Sequence, residues 1–295
     1  MNWNFVYLLA AVFFWALNFY WGKIMMEYVN PNTAAFWRFF LGLIAIFFLT
    51  FRSIPAFKKI KPHLRGVALV GFVGLCGFIY FFTQGLNRTS AVNGALIVAL
   101  NPVITLLLTA IFQGYSIRIK DIVGVVLALM GVVYLLTKGD LLALFEISFS
   151  AGDIYFLIAV FVFALQNIWI RKYSLGIGIK PFTFLTNLFC LIGLTVLLLL
   201  EPVENFVPNS GRFWLAAFGM GVPGTAITYI AWNIGIQKVG PARGTIFLNA
   251  IPLIVALFAI PFGAKLYLFH LVSGLLILSG LLIVQVKFRK LNPVT

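Results

Sequence analysis

Side-chain amides lie deep inside long apolar runs of this chain: Asn18, Gln84, Asn101, Gln166, Asn167, Asn233 and Asn249. An amide taken out of water is costly unless something hydrogen-bonds it. Aromatic residues stand one helical turn from several of them. Trp15 precedes Asn18 by three, Tyr80 precedes Gln84 by four, and Tyr229 precedes Asn233 by four with Trp232 beside it. On a helix these spacings put ring and amide on one face. Such a face suits a small amphipathic molecule, the ring taking the apolar part and the amide the polar part. A plainer reading makes the amides interhelical hydrogen bonds, each worth about 1 kcal/mol or less, and the rings an interfacial belt. The residues alone leave both open. Nothing points to covalent chemistry, because nucleophile–base pairs and phosphate loops are missing from the sequence. His63 and His270 have no partner at metal spacing. Cys76 and Cys190 fall in apolar runs and read as small buried hydrophobes. An enzyme, a metal and a cofactor are therefore not expected.

The elements that must position these groups follow from composition. The chain is 62% hydrophobic and 9% charged, against about 25% charged for a soluble domain. Apolar runs near twenty residues recur from end to end and lack the alternation of barrel strands, so they read as membrane-spanning helices. Ten fit, at roughly 4–26, 33–51, 66–86, 90–112, 121–138, 151–171, 180–200, 211–236, 241–262 and 268–287. The first is too long for a signal-peptide core and has no small-x-small cleavage site. With the N-terminus in the cytoplasm, most of the 21 Lys and Arg fall on inner loops, and of the acidic residues only Asp121 does. The positive-inside rule then places both termini in the cytoplasm. The net charge of +14 is spread over those short loops, including a basic stretch 52–65 read as a solvated loop. It sets topology and meets anionic lipid head groups rather than nucleic acid. Arg38, early in span 2, is read as snorkelling outward.

The chain repeats itself. Gly71, Gly74, Gly85, Gly94 and Pro102 stand opposite Gly221, Gly224, Gly235, Gly244 and Pro252, each 150 residues on. At an offset of 149, Asn18 is matched to Asn167, and the Tyr80/Gln84 pair to Tyr229/Asn233. This gives two five-helix units, 1–140 and 150–295. An odd number of spans forces the second unit to insert upside down. The expected fold is an all-α membrane protein of ten helices, two inverted repeats around a central cavity. Pro102, Pro223 and Pro252 interrupt their spans, and paired interrupted helices at the midplane are where inverted-repeat carriers bind and bend. A static kink is the plainer alternative. Spans 5 and 10 match as Gly124-x6-Gly131 and Ser273-x6-Gly280. Their small residues suit close packing, as scaffold or as a homodimer surface.

The sequence resembles the drug/metabolite transporter superfamily, of the ten-helix EamA type, over nearly its whole length. The resemblance is carried by Trp15-Ala-Leu-Asn18-Phe19, by Pro31 with Ala35-Phe-Trp-Arg38-Phe39, and most closely by Gly224-Thr-Ala-Ile-Thr-Tyr229-Ile-Ala-Trp232-Asn233 with Gly240-Pro-Ala-Arg243. It implies an inverted-repeat carrier with a cavity lined by spans 1, 3, 4, 6, 8 and 9, exporting or exchanging small metabolites such as amino acids. One departure stands out. The family commonly places Gly-Glu before spans 5 and 10, where this chain has Gly114-Tyr115 and Gly263-Ala264.

With no carboxylate deep in a span, proton coupling through a buried acid is not expected. A facilitator or exchanger of neutral or zwitterionic amphipathic solutes is expected instead, in a bacterial or archaeal plasma membrane. The alternatives are a flippase for a lipid-linked sugar, with Lys23 or Arg38 as head-group bases, and a multidrug exporter of the same fold.

Overall fold

The computed structural model describes residues 4–285 except 87, 90, 147, 148, 201–204, 263, 264 and 266. Asn87, Ser90, Glu201, Glu204, the Gly263-Ala264 pair, Lys287, Arg289 and Lys290 lie outside the described residues. Described residues form helices and connections and no strand. Among the described residues ten helices are long and apolar enough to cross a membrane. They are span 1 (Phe5–Met26), span 2 (Pro31–Ser53), span 3 (Phe57–Gly85), span 4 (Asn93–Gln113), span 5 (Ile119–Leu136), span 6 (Ala151–Ser174), span 7 (Ile179–Leu199), span 8 (Gly211–Val239), span 9 (Pro241–Phe258) and span 10 (Leu268–Gln285). The chain is a multi-pass membrane protein.

Local chemistry sets several ends. Asn30 caps span 2 by accepting from the Thr33 amide at 2.8 Å, with Pro31 at the first helical position. Span 6 opens on a capping box in which the Ser150 amide donates to Asp153 at 2.6 Å. The basic stretch after span 2 is a correction to the sequence reading. It is helical, through Phe57–Ile60, Lys61–His63 and Leu64–Leu69, and forms the first part of span 3. The cause is one-sided amphipathicity: Ile60 is buried while Lys58, Lys59 and Lys61 stay exposed.

The helix contacts are exchanged when the two halves are swapped. Span 3 packs on span 6 as span 8 packs on span 1, span 4 meets span 6 as span 9 meets span 1, span 2 lies on span 7, and span 5 lies on span 10. That is the pattern of a two-fold relation between the repeats. The repeated glycines are where the other half presses in. Gly85 and Gly94 face Phe156 of span 6, and Gly235 and Gly244 face Leu8 of span 1. Between spans 5 and 10 the small faces are used up against each other. A Cβ on Gly124 would sit 2.7 Å from the Gly280 carbonyl, and one on Gly131 would sit 2.9 Å from the Ser273 carbonyl.

Four spans are not simple α-helices. Spans 3 and 8 each contain a π-helical stretch at the equivalent place, Val70–Cys76 and Val222–Ile227. In span 8 the loosened carbonyls of Met220 and Pro223 accept from the Thr225 and Thr228 hydroxyls at 2.9 and 2.8 Å. Span 4 breaks after Val98 and restarts at Asn101 with Pro102 at its second position. Span 9 passes through a 3-10 stretch, Thr245–Ala250, before Ile251–Phe258 begins with Pro252 at its second position. All three interrupting prolines therefore sit at breaks in α geometry.

Candidate functional site at the repeat interface

At the middle of the bundle an aromatic cluster joins spans 1, 2, 3, 6 and 8. Trp15 lies 4.9 Å from Trp232, 5.7 Å from Tyr229 and 6.1 Å from Phe163, ring centre to ring centre. Phe163 stacks near Phe78 at 4.6 Å, and Phe39 reaches Tyr229 at 6.0 Å. Trp232 and Tyr229 are almost wholly buried. The Trp232 indole donates to the Asn167 side-chain oxygen at 2.8 Å, and the Asn167 amide donates to its own helix at the Phe163 carbonyl at 2.9 Å. Asn167 is thus satisfied on both atoms and orients the indole.

The other amides face inward as well. Asn18 donates to the Gly224 carbonyl in the π stretch of span 8 at 2.9 Å. Asn233 donates to the Thr183 hydroxyl of span 7 at 2.9 Å. Asn101 donates to the Val160 carbonyl at 3.2 Å and accepts from Thr105 at 3.2 Å. Among the described residues five buried amide atoms have no hydrogen-bond partner within the protein: Asn18 Oδ1, Gln166 Oε1, Asn187 Oδ1, Asn233 Oδ1 and Asn249 Nδ2. Idle buried amide atoms are uncommon and call for a reason.

Two expected members do not join. Tyr80 stands edge-on to its neighbour Phe81, and Gln84 is taken by Arg88, whose guanidinium lies over Tyr155. The reason is register. The contacts of the repeated glycines follow an offset of 150, whereas Tyr80 matches Tyr229 only at 149. One residue is 100° around a helix. At 150 the counterpart of Tyr229 is Ile79, which lies in the same core cluster. In spans 1 and 6 the contacts pair Leu8 with Phe156, and Asn18 with Gln166 rather than with Asn167: Gly224 abuts Asn18, and Gly74 abuts Gln166. The same step makes Phe163 the counterpart of Trp15, and both are in the aromatic cluster.

Arg38 is also a correction. It does not snorkel outward. Its Nε donates to the Thr225 hydroxyl at 2.9 Å and its guanidinium lies 5.2 Å from the centre of the Phe39 ring. Aromatic stacking and a mid-helix hydroxyl hold it inward more strongly than a short climb to the head groups would reward. Phe78, Phe163 and Thr183 were not singled out by sequence, and Phe39 and Thr225 entered only within the motifs of the resemblance. For the phenylalanines, only the 148-residue spacing of Trp15 and Phe163 offered a signal.

Polar ties close the bundle beyond the cluster. At the end where span 6 begins, Asp153 accepts from Thr89 at 2.6 Å and from Asn93 at 3.3 Å. At the opposite end the Tyr115 hydroxyl donates to Asp121 at 2.7 Å and accepts from Arg243 at 3.1 Å, with Arg243 also 3.5 Å from the other Asp121 oxygen. Burial, and then the Asp121 hydrogen bond, push the Tyr115 phenol up from its ordinary range. Tyr115 occupies the position where the resembled family commonly has glutamate. Here Asp121 supplies the carboxylate that Arg243 meets.

The profile of the EamA-like transporter family matches residues 2–137 and again 150–286, one copy per repeat. The chain belongs to the EamA-like transporter family. Among its relatives is the uncharacterized transporter YyaM of Bacillus subtilis, 27% identical over 282 residues, covering 94% of this chain and 92% of that protein. An uncharacterized transporter of Methanothermobacter thermautotrophicus is 22% identical over 300 residues, covering 95% of this chain and 85% of the other. A chloroplastic WAT1-related protein of Arabidopsis thaliana is 26% identical over 275 residues, covering 87% of this chain and 63% of that protein. A solved crystal structure superposes with a TM-score of 0.79 at 19% identity, over 96% of this chain and 97% of the other, and shares the fold. EamA family membership makes the chain a transporter.

Proposed function

We propose that this EamA-family chain is a secondary carrier, a facilitator or exchanger, for small neutral or zwitterionic amphipathic metabolites. Amino acids with aromatic or branched side chains are the leading substrates. The reading is carried by one observation: Trp15, Tyr229 and Trp232 meet at the repeat interface with inward-facing amides Asn18 and Asn167 beside them. Rings take an apolar side chain there, and the unpartnered Asn18 oxygen takes a polar head. The repeats rock about this point, bending at the breaks beside Pro102 and Pro252 and at the π stretch with Pro223. The ties at Asp153 and at Asp121–Arg243 hold opposite ends and break in turn. Both termini face the cytoplasm of a plasma membrane, as the distribution of Lys and Arg favours.

A substrate screen by counterflow in proteoliposomes tests this, comparing wild type with Asn18→Ala and Tyr229→Phe. The expected result is trans-stimulated amino-acid flux that both substitutions reduce. Failure of every amino acid with flux of an organic cation points to a multidrug exporter, and binding of a polyprenyl-phosphate sugar points to a flippase. Uptake that collapses without a pH gradient at fixed voltage removes the facilitator assignment.

A further inference from the structure

Arg38 brings a full positive charge into the bundle about two turns along span 2. Its Nε–H is spent on Thr225, and Thr225 is the middle residue of span 8 (Gly211–Val239). The guanidinium has further N–H donors in a planar fork. Among the described residues no carboxylate pairs with it. Glu27 meets Arg212, Asp121 meets Arg243, and Asp153 is held by Thr89 and Ser150. A lone cation in a membrane interior is strongly disfavoured, and such groups mark substrate or ion pathways.

The surroundings say what would meet it. Thr225 holds Arg38, and the adjoining Gly224 carbonyl holds Asn18. The idle Asn18 Oδ1, itself buried, is pressed against Gly224. A donor fork and an unpartnered acceptor therefore converge on two consecutive residues of one π stretch. Phe39 flanks the guanidinium and continues through Tyr229 to Trp15. The matching place in span 7 is Thr186, since Gly221 abuts Arg38 as Gly71 abuts Thr186, so the charge occurs in one repeat alone.

We propose that Arg38 is the counter-ion for a carboxylate on the transported solute. The substrates are amphipathic carboxylates, zwitterionic or anionic. Their carboxylate meets the Arg38 fork, their apolar part meets Trp15, Phe39 and Tyr229, and an ammonium, where present, donates to Asn18 Oδ1. This rests on the carrier reading and narrows it, because amphipathic solutes without a carboxylate are then not substrates.

The test uses the purified full chain in detergent and reads the thermal midpoint against four probes: L-phenylalanine, 3-phenylpropanoate, L-phenylalaninamide and phenethylamine. The expected result is stabilisation by the two carboxylates and none by the amide or the amine. Arg38→Gln should weaken 3-phenylpropanoate binding at least about tenfold, the scale of a lost charge-assisted hydrogen bond, and Arg38→Lys should fall between. Thr225→Val, which keeps the cation, should keep the carboxylate response. The wild-type probes decide even where Arg38→Gln fails to fold. A response to the amide or amine but to neither carboxylate overturns the anion site and leaves the carrier reading standing. So does an unchanged 3-phenylpropanoate response in a folded Arg38→Gln protein. No response to any of the four removes both readings.

Discussion

The side-chain amide of Asn18, in span 1, donates 2.9 Å to the backbone carbonyl of Gly224, in the π stretch of span 8. A group from the first repeat thus holds the loosened backbone of the second at the level of the aromatic cluster. A carbonyl freed from the α-helical ladder inside a membrane needs such a partner. The bond is one of those that must be remade if the repeats change their relation.

Asn18→Ala removes that hydrogen bond from a buried place. The expected stability loss is about 1 kcal/mol, the scale of interhelical hydrogen bonds in membranes, read as a small fall in thermal midpoint. Transport should fall further, by about tenfold, equivalent to about 1.4 kcal/mol in the barrier. Counterflow and thermal unfolding on the same preparation separate the two effects.

Trp232→Phe keeps a ring in the cluster and removes the indole donor to Asn167. Asn167→Ala removes the acceptor. Because the two groups share one bond, their effects should not add. A double-mutant cycle should give a coupling of about 0.5–3 kcal/mol. Simple additivity would mean that the 2.8 Å contact contributes nothing.

Gly131→Leu tests the scaffold. A Cβ at that position meets Ile277 at 2.8 Å and the Ser273 carbonyl at 2.9 Å. Backbone cannot yield as a side chain can, so spans 5 and 10 must separate. The expected cost is about 1–3 kcal/mol, with the substrate KM unchanged in whatever protein folds. A change in KM without a stability loss would place this interface in the transport path.

Tyr80→Phe and Gln84→Ala should be close to silent in transport, within about twofold. Tyr80 touches Phe81, and Gln84 serves Arg88 at the end of span 3. Strong loss in either would restore the cavity role that their resemblance to Tyr229 and Asn233 suggested.

Much of the fold was legible in the chain because the bilayer imposes it. Ten runs of the right length and an odd number of spans per repeat determine the topology, and the glycines at offset 150 marked where helices cross. The prolines named the breaks. Side-chain facing was harder. A one-residue slip between halves is invisible in an apolar run yet turns a residue by 100°. It left Tyr80 and Gln84 outside the aromatic cluster and moved the Asn18 counterpart to Gln166. Arg38 was misread for a related reason. Its position near the start of span 2 offered an exit to the head groups, and only the fold placed Phe39 and Thr225 where they hold it inward.

The alternating-access claim is tested most directly by accessibility of the cluster from the two sides of the membrane. In a chain carrying Cys76→Ser and Cys190→Ser, Phe78→Cys places one thiol beside Phe163. A membrane-impermeant thiol reagent should label it from either face of oriented vesicles, and L-phenylalanine should slow labelling from both. Labelling from one face alone, or from neither, would contradict a carrier that opens this site to each side in turn.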